Sequence, residues 1–312
     1  MIRYIDGAAP ILDGGESEEL FYRVHDVEEI VKRVEKDDDE AEQELALKVL
    51  NLIEKELQNN QDLDFSVAVS RSFKQIKHTG VSKMPSKRSL LRAFKKQPPL
   101  GVVARAWLAK NLVTKRVRSD SGVLVVTVLT SPYPYLVDEN GTLTDDNTIS
   151  EELRKKKGAF SCKFDCFYCP NEPGQPRSYL RDEPAVLRAN QNGYDPVLQF
   201  TDRCATLLEN GHHIDKIEIL VLGGTWSSYP LDYRETFARD LFFAANTFLK
   251  PDMKRKRLAL KEEQLINETS DCRIIGLTIE TRPDCVNLEE LRHLRRSKFT
   301  FDFVCKVTND PY

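Results

Sequence analysis

"IEILVLGGT", residues 217–225, decides how the chain is read. Five of its first six residues are Ile, Leu or Val. A short apolar run that stops at glycine is the pattern of a strand buried on both faces of a parallel sheet. Two more runs share that texture, "GVLVVTVLT" (122–130) and "RIIGLTIETRP" (273–283). Between and after them, "PVLQFTDRCATLLENG" (196–211) predicts a helix ended by Gly211, and "PLDYRETFARDLFFAANTF" (230–248) an amphipathic helix. Residues 250–271 are basic and polar, "NLEELRHLRR" (287–296) predicts another helix, and "FTFDFV" (299–304) a fourth strand. Strand alternating with helix implies an α/β fold, a parallel sheet with helices outside it. The 312 residues, 40% of them hydrophobic, suffice for one large domain or two smaller ones.

The sequence before residue 119 differs. Residues 1–25 read as a loose arm. From Asp26 to Gln58 apolar residues recur at helical spacing, interrupted by "KDDDEAEQE", which reads as a solvated break or a helix start. Residues 1–70 carry 19 Asp and Glu against 7 Lys and Arg, a net of −12, whereas residues 71–118 carry 14 Lys and Arg and no acid. Adjacent blocks of opposite sign suggest separate roles. They divide the chain into an acidic helical region (1–60), a basic region (61–118) and the α/β part (119–312). Lys and Arg neutralise phosphates, and the interleaved Phe73, Phe94 and Trp107 offer either stacking surfaces for unpaired bases or core packing. The candidate nucleic-acid contacts are Lys83, Lys87, Arg88, Arg92, Lys95, Lys96, Lys115, Arg116 and Arg118. No apolar run approaches the ~18–20 residues that span a bilayer. The N-terminus has no basic segment followed by an apolar one, so no secretory signal and a reducing compartment are expected.

"FSCKFDCFYCPNEPGQP" (160–176) holds Cys162, Cys166 and Cys169. In a reducing compartment, clustered cysteines point to metal binding or catalysis. A structural zinc site needs four ligands, usually as two pairs, and no second pair follows; His212 and His213 are distant in sequence. Three thiolates suit a 4Fe–4S cluster with one iron open to a cofactor. Cys204, Cys272, Cys285 and Cys305 read as structural or incidental thiols.

The Cys-x3-Cys-x-aromatic-Cys stretch, with Tyr168 as the aromatic, resembles the signature of radical S-adenosylmethionine enzymes. That resemblance implies that Cys162, Cys166 and Cys169 hold the cluster. The open iron would chelate S-adenosylmethionine, which reductive cleavage turns into a deoxyadenosyl radical. It implies cofactor contacts from Tyr168, Gly223, Gly224, Thr225 and Glu280, at the strand ends where (β/α) barrels carry their chemistry. The plainer readings are a turn that needs glycine and a Glu280–Arg282 pair.

A longer stretch resembles the catalytic subunit of Elongator, a radical-SAM tRNA wobble-uridine carboxymethyl synthase family. Its blocks recur here in order as Tyr194-Asp195-Pro196, Leu207 to His212, Asp215-Lys216-Ile217-Glu218, Gly223-Gly224-Thr225, Tyr233-Arg234 and "IIGLTIETRPD" (274–284). The likeness covers roughly residues 62–296. It implies a partial radical-SAM barrel preceded by a mainly helical, basic, tRNA-binding region. The implied activity is that of a transferase of tRNA processing, of the tRNA uridine acetyltransferase (acyltransferase) type. It uses acetyl-CoA to form carboxymethyl-type groups at C5 of the wobble uridine, with no catalytic residue implied beyond the cluster. The implied partners are tRNA and other Elongator subunits, with no membrane, in the cytoplasm or nucleus. The chain departs from the family in its shorter gap between Cys162 and Cys166 and in its residues after Arg296, and the resemblance leads to the expectation that the later barrel strands and the acetyltransferase-like domain are absent. The rival expectations are a non-catalytic tRNA- or Elongator-binding fragment and a zinc-binding RNA protein.

Overall fold

The computed structural model describes residues 29–30, 40–59, 63–76, 83–98, 101–132, 134, 162, 164, 166–167, 169–250 and 255–296. The predicted strand at 299–304, the arm at 1–25, Tyr168 and Cys305 lie outside the described residues. The described residues fall into two compact units. One holds those of Lys32–Ser121 with Ala205–His213; the other holds those of Met1–Val31, Gly122–Cys204 and Ile214–Tyr312.

The first unit is helical. Helix α1 (Glu40–Asn59) presents Ala46, Val49, Leu50, Ile53 and Leu57 on one face, the i, i+3, i+4, i+7 spacing that sequence periodicity predicts. This face packs on α2 (Phe65–Ile76), α3 (Lys87–Lys96) and α4 (Val102–Leu112), with Leu90, Leu108 and Leu112 in the common core. The acidic and basic segments therefore share one core. Acidic side chains of α1 serve the starts of its neighbours, where unpaired amides and the helix dipole favour negative charge. Glu42 Oε1 accepts the Ser86 amide at 3.2 Å and the Ser89 hydroxyl at 2.7 Å, and Glu54 Oε1 accepts the Gly101 amide at 2.9 Å. Serine hydroxyls and the Ser86 amide hold the Glu42 carboxyl below its usual range.

The second unit is α/β. Strands β1 (Leu124–Leu129), β2 (Lys216–Leu222) and β3 (Arg273–Ile279) form one parallel sheet in that order. Leu124 faces Ile217 and Leu129 faces Leu222; β3 follows β2 with one irregularity at Ile217/Glu218, beside Ile275. Ile217, Ile219 and Val221 are buried on one face, while on the other Val125 is 48% and Ile275 51% exposed. Burial on both faces, as the apolar runs suggest, is therefore corrected. Leu124, Val126, Val128, Leu277 and Ile279 share that buried face, whereas on the other Leu129 and Thr278 are buried and the remaining side chains are half-buried or exposed. The sheet has three strands among the described residues, and a closed barrel is not among them.

Helices α5 (Pro184–Gln191), α6 (Pro196–Glu209), α7 (Leu231–Phe248), α8 (Leu260–Asn267) and α9 (Leu288–Arg296) connect or follow the strands. Two helices went unread in the sequence, α5 and α8. The second lies in the polar stretch 250–271, where Glu263 is fully buried and gripped by Arg255 at 2.6 and 2.7 Å. The outer edge of β1 is covered by side chains. Gln199 donates to the Leu129 carbonyl and accepts its amide, both at 2.9 Å, and Arg188 donates to the Thr127 carbonyl at 3.0 Å. Such cover protects a strand edge from pairing with another chain.

Candidate functional site

The site is built at the carboxyl ends of the strands. β2 runs into Gly223 and Gly224, with φ of +129° and +102°, the left-handed side that glycine tolerates. A Cβ at Gly223 would sit 1.9 Å from Thr130 Oγ1. Close approach of Thr130, just past β1, thus demands this glycine within the protein itself. Thr130 donates to the Tyr229 hydroxyl at 2.7 Å, which donates to the Gly223 carbonyl at 2.7 Å, and the Ser131 amide donates to the Tyr233 hydroxyl at 2.8 Å. Tyr229 and Tyr233 stack with ring centroids 5.3 Å apart. Burial, with the neighbouring Tyr233, pushes the Tyr229 phenol well up, so it stays a hydrogen-bond donor. The Trp226 amide donates to the Glu280 carbonyl at 2.9 Å, and Ser227 meets Thr281 at 2.8 Å, joining the turns after β2 and β3.

Two of the three cysteines hang on these turns. The buried Cys162 thiol donates to Thr225 Oγ1 at 3.2 Å. Arg282 Nη1 donates to Cys166 Sγ at 3.0 Å. The Ser178 hydroxyl donates to Cys169 Sγ at 3.0 Å, and the Cys169 amide donates to the Cys166 carbonyl at 3.1 Å. Ser178 has φ +79°, uncommon outside glycine, and is held by its amide bond to the Pro170 carbonyl. Its neighbour Tyr179 is buried and donates to Glu280 Oε2 at 2.5 Å. Burial and then the Glu280 charge push the Tyr179 phenol far above its ordinary range. Arg282 forks onto Asp284 at 3.0 and 2.9 Å, and Asp284 raises it further. The acid partner described for Arg282 is therefore Asp284, while Glu280 holds Tyr179.

Cys162 and Cys166 are tied to the turns after β2 and β3, and Cys169 is held by Ser178, whose neighbour Tyr179 reaches Glu280 after β3, so the loop sits over that end of the sheet. Among the described residues, no group of three His, Cys, Asp or Glu side chains stands close enough to hold a metal ion. By chemistry the donor set fits an iron–sulfur cluster, being soft thiols closely spaced on one loop with a hydrogen-bonding partner at every sulfur. Cys204 and Cys272 are buried, and burial pushes both thiols up, as suits inert cysteines. His212 bridges the Ser119 hydroxyl at 2.9 Å and the Thr114 carbonyl at 3.0 Å within the helical unit.

The candidate nucleic-acid contacts divide into two sets. Lys83, Lys96, Lys115, Arg116 and Arg118 are exposed, Arg116 beside Asp120 at 3.3 Å, and Arg88 is half-buried. Arg92 pairs with Glu209 at 2.8 Å, Lys95 donates to the Leu208 carbonyl at 3.2 Å, and Lys87 donates to the Val113 carbonyl at 2.9 Å over the Phe65 ring. Burial lowers Lys87 below its usual range. Phe94 and Trp107 pack against the helical core. Sequence reasoning missed Ser178 and Tyr179, which carry no motif, and read Arg282 only as a partner for Glu280.

The fold and site define an α/β chain whose cysteine loop covers the carboxyl end of a parallel sheet. Over about three-fifths of its length the chain is homologous to proteins named Elongator complex protein 3 or tRNA uridine(34) acetyltransferase. It is 32% identical over 177 residues to "tRNA uridine(34) acetyltransferase" of Dehalococcoides mccartyi, covering 57% of this chain and 31% of that protein. It is 30% identical over 222 residues to "Elongator complex protein 3" of Danio rerio, covering 67% and 35%. The mouse protein of that name is 31% identical over 224 residues, covering 67% and 36%. The chain thus spans about a third of the length of the curated relatives it matches. Among solved structures, the Methanocaldococcus infernus Elp3 with an N-terminal deletion aligns with a TM-score of 0.36 at 25% identity, over 57% of this chain and 27% of that one. No family model matches the chain. No described helix is long and apolar enough to cross a membrane.

Proposed function

We propose that this chain carries the cysteine loop of a radical S-adenosylmethionine enzyme that modifies C5 of the wobble uridine in tRNA. In this reading Cys162, Cys166 and Cys169 hold a 4Fe–4S cluster, with one iron left for S-adenosylmethionine. When bound, that pair supplies one-electron chemistry able to abstract hydrogen. The observation that carries the reading is that Cys162 and Cys166 are fastened to the turns after β2 and β3, while Cys169 is held by Ser178, whose neighbour Tyr179 reaches Glu280. Homology to proteins named for tRNA uridine acetyl transfer supports the substrate.

The chain's own residues would bind and orient. Ligation removes thiol protons. Thr225 can then reverse its hydroxyl and donate to Cys162 Sγ, as Ser178 and Arg282 already donate to the other two sulfurs. Thr225, Glu280 and Tyr168, with the backbone of Gly223 and Gly224, are the proposed cofactor contacts. The exposed basic residues of the helical unit are the proposed tRNA-backbone contacts, positioning rather than reading the base. Acetyl-CoA as co-substrate, Elongator subunits as partners and a cytoplasmic or nuclear setting belong to the same proposal.

The test is anaerobic reconstitution with iron and sulfide, wild type beside Cys166→Ala. About four irons and four sulfides per chain, an electron paramagnetic resonance signal altered by S-adenosylmethionine, and loss of both in the variant are expected. Zinc without sulfide, or a folded chain that takes up no metal, would sink the reading.

A further inference from the structure

We propose that Arg282 is a positioning residue that clamps the cysteine loop to the end of β3 and sets the potential of the group held there; the second part rests on the cluster reading above. Three contacts meet on its guanidinium. One face lies 3.9 Å from the Phe164 ring centroid. Nη1 donates to Cys166 Sγ at 3.0 Å. Nε and Nη2 fork onto Asp284 at 3.0 and 2.9 Å.

These contacts use different parts of one planar group. The carboxylate fork fixes the guanidinium plane, the ring takes its face, and the remaining nitrogen reaches sulfur. Lysine has neither the fork nor the flat face. Phe164 lies midway between the first cysteine, Cys162, and the second, Cys166. Holding Phe164 and Cys166 from one point on the turn after β3 fixes where this part of the loop runs. The charge has a second effect. A reduced cluster carries one more negative charge than an oxidised one. A cation hydrogen-bonded to a ligating sulfur therefore favours the reduced form and raises the potential.

The test compares wild type, Arg282→Lys and Arg282→Gln in the full chain. In the reduced, iron-free protein, backbone hydrogen exchange across residues 162–170 should quicken in both variants, while residues 216–222 of β2 stay unchanged. After reconstitution, the midpoint potential should shift downward in Arg282→Gln and stay nearer wild type in Arg282→Lys, which keeps the charge. Exchange and potential of Arg282→Gln that match wild type would overturn the proposal. If Arg282→Gln binds no iron, Asp284→Asn replaces it, since it frees the guanidinium without removing it. Faster exchange and a shifted potential then support the clamp, and wild-type values overturn it. A wild type that takes up no cluster defeats the cluster reading instead, and exchange in the iron-free chain alone then decides the clamp.

Discussion

The Tyr179 hydroxyl donates to Glu280 Oε2 at 2.5 Å, joining the loop that holds Cys169 to the turn after β3. Tyr179→Phe removes the donor and should lower stability by about 1.5–3 kcal/mol, the range for hydrogen bonds to charged groups. Glu280→Gln keeps an acceptor and should cost less. Urea unfolding of both variants checks the order. The phenol is raised by burial and then by Glu280, so folding favours its protonated form. Its contribution is complete at neutral pH and is lost as pH climbs past about 10, where the unfolded tyrosine ionises. Tyr179→Phe should flatten that alkaline decline.

Gly223 is required by its neighbour as well as by its backbone. Gly223→Ala would place a methyl 1.9 Å from Thr130 Oγ1 at a φ of +129°. Overpacking and backbone strain each cost about 1–3 kcal/mol. Gly193→Ala is the control, because its φ is +56° and nothing lies within 4 Å of the added Cβ. There only the left-handed conformation is penalised, by about 1–2 kcal/mol. Thermal unfolding should rank Gly223→Ala well below Gly193→Ala.

Glu263 is a buried carboxylate whose burial raises its pKa, yet Arg255, the Leu258 amide and Asn246 outweigh that and hold it below the ordinary range. A carboxyl lowered in the folded state adds stability above its unfolded pKa. That stability disappears as pH falls through the ordinary carboxylate range toward the folded value. Glu263→Gln leaves Arg255 without its charged partner and should cost about 3–5 kcal/mol at neutral pH. Stability measured against pH should decline less steeply below about 5 in this variant than in wild type.

The strands and most helices of the α/β unit were legible because their signals are local. Apolar runs ending in glycine gave β2, and 3.6-residue periodicity gave α6 and α7. α8 was hidden because its buried positions include Glu263, Gln264 and Asn267, polar residues made tolerable only by distant partners such as Asn246. Exposure of Val125 and Ile275 was equally invisible, since composition does not say which face a helix covers. At the site, the cysteine spacing and the glycine pair stood out. Ser178, Tyr179 and the partners of Arg282 did not: Tyr179 with Glu280 and Arg282 with Cys166 meet across more than a hundred residues, and the local pairs Ser178–Cys169 and Arg282–Asp284 carry no motif.

The basic segment makes the last distinction testable, since its charges do two different things. Arg92, with 12% of its side chain exposed, pairs with Glu209 inside the helical unit. Arg92→Ala should therefore cost up to about 3 kcal/mol of that unit's stability, since the mostly buried Glu209 keeps Lys95 at 3.9 Å in place of its close guanidinium partner. Lys83, Lys96, Lys115 and Arg118 are exposed, and Arg116 shares its charge with the exposed Asp120, a pair worth little. Replacing these by alanine should leave stability within about 0.5 kcal/mol per site. Each residue that meets a tRNA phosphate should weaken binding and lower the slope of log affinity against log salt by about 0.7–0.9. Filter binding of tRNA across a salt series, run beside urea unfolding of the same variants, reads both. A salt slope that stays at its wild-type value after all five exposed residues are replaced would remove the tRNA backbone from this surface.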